Sequence, residues 1–191
     1  MAGIGLSKPT IAIYTFENDA ISYGTPQVAG KAVSVSISLD DNNDNVLYAD
    51  NGPAESETVF TGGTITLSTD DLSPAVFGVL YGITAEAIGT STTDKWYKNN
   101  DAQDTPYVGL GVIRKKMING SIKYQAIIYR KVIFNNLADA FDTQGETIEW
   151  QTPELTGKLY RDDSATHDWR WISSLVDTEA EAEALIAAAF A

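Results

Sequence analysis

The chain has 191 residues, enough for one domain with its own core, and its 43 % hydrophobic and 20 % charged residues place it among globular rather than disordered proteins. The absence of cysteine excludes disulfides, thiolate nucleophiles and cysteine-based metal sites. With 26 acidic against 13 basic residues the net charge is -13, and a surface of this sign does not grip nucleic acid.

The first residues hold no basic segment followed by an apolar run, so they do not predict a secretory signal. No apolar stretch approaches the ~20 residues that a membrane-spanning helix needs. We therefore expect residues 1–191 to form one domain that is made and folds in a cytoplasm and has no membrane partner.

Apolar residues that alternate with polar ones predict strands, because successive side chains of a strand point to opposite faces. In residues 32–39 the odd-numbered positions from 33 onward are Val, Val, Ile and Leu, and the positions between them are serine. This repeated strand-turn spacing predicts a mainly β fold, an antiparallel sandwich or barrel. The predicted strands cover residues 11–15, 32–39, 64–68, 107–113, 122–134, 147–151 and 155–160.

One hairpin and two helices are also predicted. The Asn119-Gly120 pair between two strands is typical of a type I′ turn, which needs positive φ at both central residues. Ser73 as N-cap, Pro74 in the first turn and a glycine at position 82 predict a short buried helix. The capping-box spacing of Thr178 and Glu181 predicts a C-terminal helix over 178–190 that docks along the sheet. Its expected apolar stripe consists of Leu185, Ile186, Ala189 and Phe190.

Two segments are expected to be loops. Residues 40–57 hold six acidic residues and no lysine or arginine, with Asn, Gly and Pro breakers, and a connection of this length is usually functional or disordered. The acidic residues are Asp40, Asp41, Asp44, Asp50, Glu55 and Glu57. Residues 89–106 are rich in Thr, Asn and Asp and are expected to be mobile.

Motifs for metal and catalytic chemistry are weak. A calcium loop that starts at Asp40 needs glycine at its sixth position and glutamate at its twelfth, where this chain has Asn45 and Asn51. The only histidine, His167, has no identifiable nucleophile partner, so we interpret it as a surface residue.

Two carboxylates near a tryptophan, Glu146 and Glu149, resemble a glycosidase pair, but residues three apart in a strand face opposite sides. Gly109 and Gly111 lie inside a strand with no helix following, which disfavours a nucleotide loop. We therefore predict no catalytic, cofactor or metal site and no enzyme activity. Four tryptophans and nine tyrosines leave carbohydrate binding as an alternative.

The charge pattern of the predicted hairpin is more informative. A two-residue turn at 119–120 places Lys116 opposite Lys123, with Arg114 on the same face, and like charges in such positions destabilise a sheet unless something negative covers them. One hypothesis is that this basic hairpin of one subunit meets the acidic segment 40–57 of another. The alternative is an edge hairpin that uses lysine to discourage aggregation.

Several stretches resemble, in order, the major tail proteins (tail tube proteins) of long-tailed phages, especially those with non-contractile tails. They cover about two thirds of the chain and include KPTIAIY from Lys8, GKAVSVSISLD from Gly30, NVLYADN from Asn45, FTGGTITLSTDDLSP from Phe60, PYVGLGVIRKKMINGSIKYQAIIYRKVIF from Pro106, GETIEWQTPELTG from Gly145 and DTEAEAEALI from Asp177. The stretches 89–106 and 161–174 match that family poorly.

The resemblance implies a β-sandwich with a flanking helix, and six copies that close into a ring through a shared inner β-barrel. It also implies rings that stack into a hollow tube in the virion tail, with the segment 40–57 reaching the neighbouring ring. Its implied partners are further copies, a tape-measure protein, and the tail terminator and distal tail proteins. Genomic DNA is expected to pass through the lumen without specific binding.

Three other functions remain open at this point. A tube protein of a contractile phage-like particle or secretion system shares the fold. A monomeric carbohydrate-binding β-sandwich and a hydrolase are more distant alternatives.

Overall fold

The computed structural model describes residues 2–49, 52–91, 93–135 and 152–191, with the backbone but not the side chains described at 41–49 and 52–59. The chain is mainly β, with antiparallel pairing and two helices, which confirms the predicted fold class. The strands are β1 (Ala2–Glu17), β2 (Ala20–Tyr23), β3 (Gln27–Val28), β4 (Ala32–Ala49), β5 (Gly52–Thr69), β6 (Ala85–Ala87), β7 (Lys95–Tyr97), β8 (Val108–Ile118), β9 (Ser121–Phe134), β10 (Glu154–Tyr160) and β11 (Arg170–Ile172). The helices are α1 (Pro74–Tyr81) and α2 (Glu179–Ala189).

One large antiparallel sheet forms the body, in the order β2-β1-β8-β9-β10-β5-β4. The short β3 pairs with β1, and β11 pairs with β9 beyond the end of β10. Strand β4 also approaches β1, the second strand from the opposite end of this order, so the sheet curls around its core. Strands β6 and β7 form a separate two-stranded hairpin.

The main core fills the inside of this curved sheet and is closed by α1. It draws on alternate residues of the central strands, such as Ile11 of β1 and Leu110 of β8, and on Leu80 of α1, all fully buried. Helix α1 begins at Ser73, whose hydroxyl accepts from the backbone N–H of Val76, and ends at a glycine with φ of 66°. The predicted short buried helix and both of its caps are therefore confirmed.

Helix α2 packs on the outer face of β1, β8 and β9 and forms a second core cluster. Thr178 and Glu181 form the predicted capping box, and the helix docks on the sheet as expected. The buried stripe is Ala182, Ile186 and Phe190, whereas Leu185 is 38 % exposed, so its assignment to the stripe is wrong. Positions four apart share a helix face, and 182, 186 and 190 follow this spacing.

The two glycines of β8 allow this helix to lie close to the sheet. A Cβ at Gly109 would lie 2.6 Å from ring atoms of Phe190 and Tyr23, and one at Gly111 would lie 2.7 Å from Cγ2 of Ile186. Residues Val108 to Ile113 are consequently buried on both faces of β8.

The Asn119-Gly120 hairpin is confirmed, because Ile118 pairs with Ser121 and both turn residues have positive φ, 48° and 81°. The pairing places Lys116 directly opposite Lys123, as the sequence predicts.

The expectation that residues 40–57 form a loop is wrong. Their backbone continues β4 and β5 as a paired hairpin as far as Ala49 and Gly52. Turn-forming residues are depleted in sheets mainly because they pack poorly against neighbouring side chains. In this hairpin the pairing continues past them through shifts of register at several points. The second expected loop, 89–106, contains the short strand β7, and the strand predicted at 147–151 lies outside the described residues.

Candidate assembly surfaces

The core-facing side of the β8–β9 hairpin changes from apolar to basic along its length. Leu110 and Val112 belong to the main core, and strand alternation places Arg114 and Lys116 next on that same face. Lys123 lies opposite Lys116. The structure thus brings three predicted site residues together on one surface: Arg114, Lys116 and Lys123.

The hairpin is not a sheet edge, so the alternative of an edge protected by lysine is wrong. Strand β1 pairs along β8 as far as the Ala2–Met117 pair, and a bridge between Tyr124 and Val176 covers β9. Protection of a free edge therefore does not explain why two lysines lie opposite each other at positions 116 and 123.

A further cation, Arg170, joins this surface from β11, where sequence reasoning did not look. Arg170 pairs with Tyr129 of β9, so it lies on the same face of the sheet as Lys123 but about 20 Å further along that strand. Burial raises the pKa of Tyr129, and the positive charges of Arg170 and Arg114 act against that shift. We call Arg114, Lys116, Lys123 and Arg170 the basic face.

A buried ion pair fixes the segment that carries Arg170. The guanidinium of Arg130 donates to Asp162 at 3.0 Å, and both side chains are almost completely buried. Its Cζ lies 3.8 Å from the ring centre of Trp171 and 5.2 Å from that of Tyr23, so two aromatic rings cover the cation. The contact between the Arg130 guanidinium and Trp171 holds β11 against β9, and Asp162 holds the guanidinium in place.

A second cluster at the next residues strengthens this attachment. Lys131 donates to Asp163 at 2.6 Å, and the hydroxyl of Tyr14 donates to the same oxygen at 2.7 Å. The hydrogen bond from Lys131 lowers the pKa of the Asp163 carboxyl, whereas burial raises the pKa of Tyr14. Residues 161–169 are therefore tied to β9 and β1 at two adjacent points.

The long hairpin of β4 and β5 leaves the body at a defined root. Strand β10 pairs with β5 only from Gly63 to Ser68. Among the described residues, the part of the β4–β5 hairpin that precedes Gly63 in β5 therefore consists of two strands with no third strand beside them. The register shifts beside Leu39, and a Cβ at Gly63 would lie 2.8 Å from the Ser38 carbonyl. We call residues 40–60 the arm; from Asp40 to Ala49 it spans roughly 30 Å of strand.

The acidic residues predicted as site residues lie in this arm. Asp40 is exposed at the root, and its carbonyl accepts from the Thr61 hydroxyl at 2.6 Å. The backbone of the arm carries Asp41, Asp44, Glu55 and Glu57, whose side chains lie outside the described part, as does all of Asp50.

Strand β4 ends the sheet order and keeps a partly apolar surface in solvent. Val33 is 56 % exposed and Leu39 is 39 % exposed, although their alternation predicts a buried face. Val35 and Ile37 between them are only half-buried. A long edge strand with exposed apolar residues is a template for pairing with another chain.

An open groove of about 710 Å³ lies between β1, β4 and the start of α2. Its two lysines are matched within the chain, because Lys8 pairs with Glu183 and Lys31 pairs with Asp70, and Asp71 and Glu179 add two further carboxylates to its lining. The hydrogen bond to Glu183 raises the pKa of Lys8, and the backbone N–H of Lys31 lowers the pKa of Asp70. Among the described residues, the groove therefore presents no unpaired cation to an anionic ligand.

The remaining chemical candidates have structural roles or solvent-exposed positions. His167 is exposed, and its Nδ1 lies 3.3 Å from the carbonyl oxygen of Asp162. Trp169 stacks on Phe60 at 4.6 Å, so it packs within the chain, whereas Trp96 of β7 is 59 % exposed. Within the described ranges no three metal-ligating side chains cluster, and no helix there has the length and apolar character to cross a membrane.

A scan against protein-family models finds no match. A search of curated proteins finds no match either.

Proposed function

We propose that this chain is the structural subunit of the tail tube of a long-tailed phage, of the non-contractile type. Copies of the chain close into hexameric rings, and the rings stack into a hollow tube in the virion tail. The tube encloses a tape-measure protein, is bounded by terminator and distal tail proteins, and conducts the genome during ejection.

The arm is the observation that carries the proposal. A two-stranded ribbon on its own is marginally stable in water, and this one continues roughly 30 Å beyond the last pairing with β10. A partner surface would supply the packing that the arm does not receive from the described part of its own chain. An assembling subunit explains such a ribbon better than a monomeric binding protein does.

The exposed edge of β4 supports the same proposal. Unpaired backbone groups and the exposed side chains of Val33 and Leu39 favour addition of a strand from another subunit. Contacts between unlike surfaces close into a ring when their rotation allows it, and they give an open filament when rings stack.

The charge of the chain suits a conduit for DNA. A net charge of -13 repels phosphate groups within the ~8 Å Debye length at physiological ionic strength. If the basic face is covered in the assembly, the remaining surface is more acidic still, and DNA can slide past without binding.

Electron microscopy of the purified protein over a range of concentrations tests this proposal. We expect annuli or tubes in negative stain and a mass in light scattering that rises with concentration. A chain that stays monomeric at every concentration and is absent from virions contradicts the proposal.

A pair of matched substitutions connects the assembly with the β4 edge. Val33→Lys places a charge on the exposed edge and is expected to prevent ring formation while the fold persists. Leu185→Lys makes the same kind of change at a 38 % exposed position of α2, and rings are expected to form. Equal loss of assembly in both variants contradicts the role of the edge.

A further inference from the structure

The cations of the basic face are unevenly balanced. Lys123 forms an ion pair with Asp177 of the same chain, and the negative charge of Asp177 offsets part of the repulsion between Lys123 and Lys116. Within the described residues, no ion pair reaches Arg114, Lys116 or Arg170. Arg114 and Lys116 thus lie two residues apart on one face of β8 without an ion pair, and Arg170 lies further along that face, its guanidinium 4.5 Å from the ring centre of Trp169.

The chain itself carries the complementary charge. Residues 40–57 contain six acidic residues and no basic residue. Charge complementarity across an interface favours the correct partner and register more than it adds affinity. A second copy of this chain, bound through its arm, therefore fits the basic face.

The direction of the strands decides how the two copies must be arranged. Strands β9 and β5 run the same way, because each pairs antiparallel with β10 between them. Strand β9 begins directly after Gly120, and β5 begins at Gly52, which pairs with Ala49 at the end of β4. The β8–β9 turn and the Ala49–Gly52 pair of the arm therefore lie at the same end of the sheet.

When rings stack head to tail, the upper end of one subunit meets the lower end of the next. Stacking therefore does not bring the arm of one subunit to the basic face of another, because both lie at the same end. Subunits that stand side by side in one ring do bring them to the same level. We infer that the arm of one subunit binds Arg114, Lys116 and Arg170 of its neighbour within the same ring, and that this contact closes the ring. The inference rests on the proposed tube function and differs from an arm that reaches the next ring.

Charge reversal of the basic face is the first test. The double variant Arg114→Glu with Lys116→Glu is expected to raise the concentration needed for ring formation by about tenfold or more, because two attractions become repulsions. Lys115→Glu is the matched control, since Lys115 lies on the opposite face of the same strand. It is expected to form rings at the same concentration as the unaltered chain, and light scattering with microscopy measures both.

Rescue by mixing separates a lost contact from a lost fold. A chain with Asp41→Lys, Asp44→Lys, Glu55→Lys and Glu57→Lys, which leaves only Asp40 and Asp50 as acidic residues in its arm, is expected to fail alone, as the face variant does. An equal mixture of the two restores rings, because alternating copies match every face with an arm of opposite charge. Variants that had merely unfolded could not restore each other, and the absence of rescue overturns the inference.

The outcomes are distinct for the inference and for the tube function. If the unaltered chain forms neither rings nor tubes, the tube function fails. If the face variant forms single rings that do not stack, the contact joins rings and the inference is overturned. Equal loss in Lys115→Glu, or retardation of duplex DNA that only the face variant loses, also overturns it.

Discussion

Removal of the Asp162 carboxylate should destabilise the protein strongly. Asp162→Ala leaves the guanidinium of Arg130 buried without a counter-charge, and breaking a buried pair in this way costs about 3–5 kcal/mol. The exposed pair of Lys98 and Glu86 is the comparison, because its side chains are 60 % and 62 % exposed. For Glu86→Ala we expect a loss of about 0.2–1 kcal/mol.

Urea unfolding of the two variants measures both losses as a change in midpoint at unchanged slope. Replacement of the whole pair, Arg130→Met with Asp162→Leu, is expected to cost far less than Asp162→Ala alone, because neither charge then stays buried. A loss below about 1 kcal/mol in Asp162→Ala, or a double variant as unstable as the single one, refutes the assignment of Arg130 and Asp162 as a buried attachment point.

Three further predictions follow from local geometry and charge. Gly111→Ala is expected to lower the free energy of unfolding by about 1–3 kcal/mol through its contact with Ile186, and to cost little in an Ile186→Ala background, as a double-mutant cycle by urea unfolding would measure. Gly63→Ala forces the root of the arm away from the β4 carbonyl, so it should reduce ring formation in light scattering, whereas wild-type yield argues against a fixed root. The pKa of Asp163 is lowered by Lys131, so its stabilisation is complete above the ordinary value of 3.8 and disappears as the pH falls through the lowered value. The stability difference between the unaltered chain and Asp163→Asn should stay constant from pH 7 to 5 and shrink below pH 4; a difference independent of pH contradicts it.

The sequence predicts those parts of the fold whose signals are local. Alternation identifies strands such as β10, because one face of that strand packs on the core while the other is less buried. The Asn119-Gly120 turn and the caps of both helices are determined by a few adjacent residues, and the structure confirms them. The pairing of Lys116 with Lys123 follows from the turn alone.

Features that depend on distant segments could not be predicted in this way. Strand β11 has three residues, all exposed, so it shows no alternation, and Arg170 joins the basic face only through that strand. The sequence indicates that something negative should cover the lysines, but Asp177 lies 54 residues from Lys123 and no pattern connects them. The arm escaped detection because turn-forming residues occupy a ribbon that has no core to impose alternation.

Strand β8 lies between the main core on one side and α2 on the other, and it has paired strands at both edges. Its backbone amides can meet solvent deuterium only when the helix, the core and both neighbours separate together. Deuterium uptake at Val108 to Ile113 therefore reports the unfolding of the whole domain, and uptake in the arm reports whether a neighbour is bound. One labelling experiment can thus read folding and association independently from two stretches of the same chain.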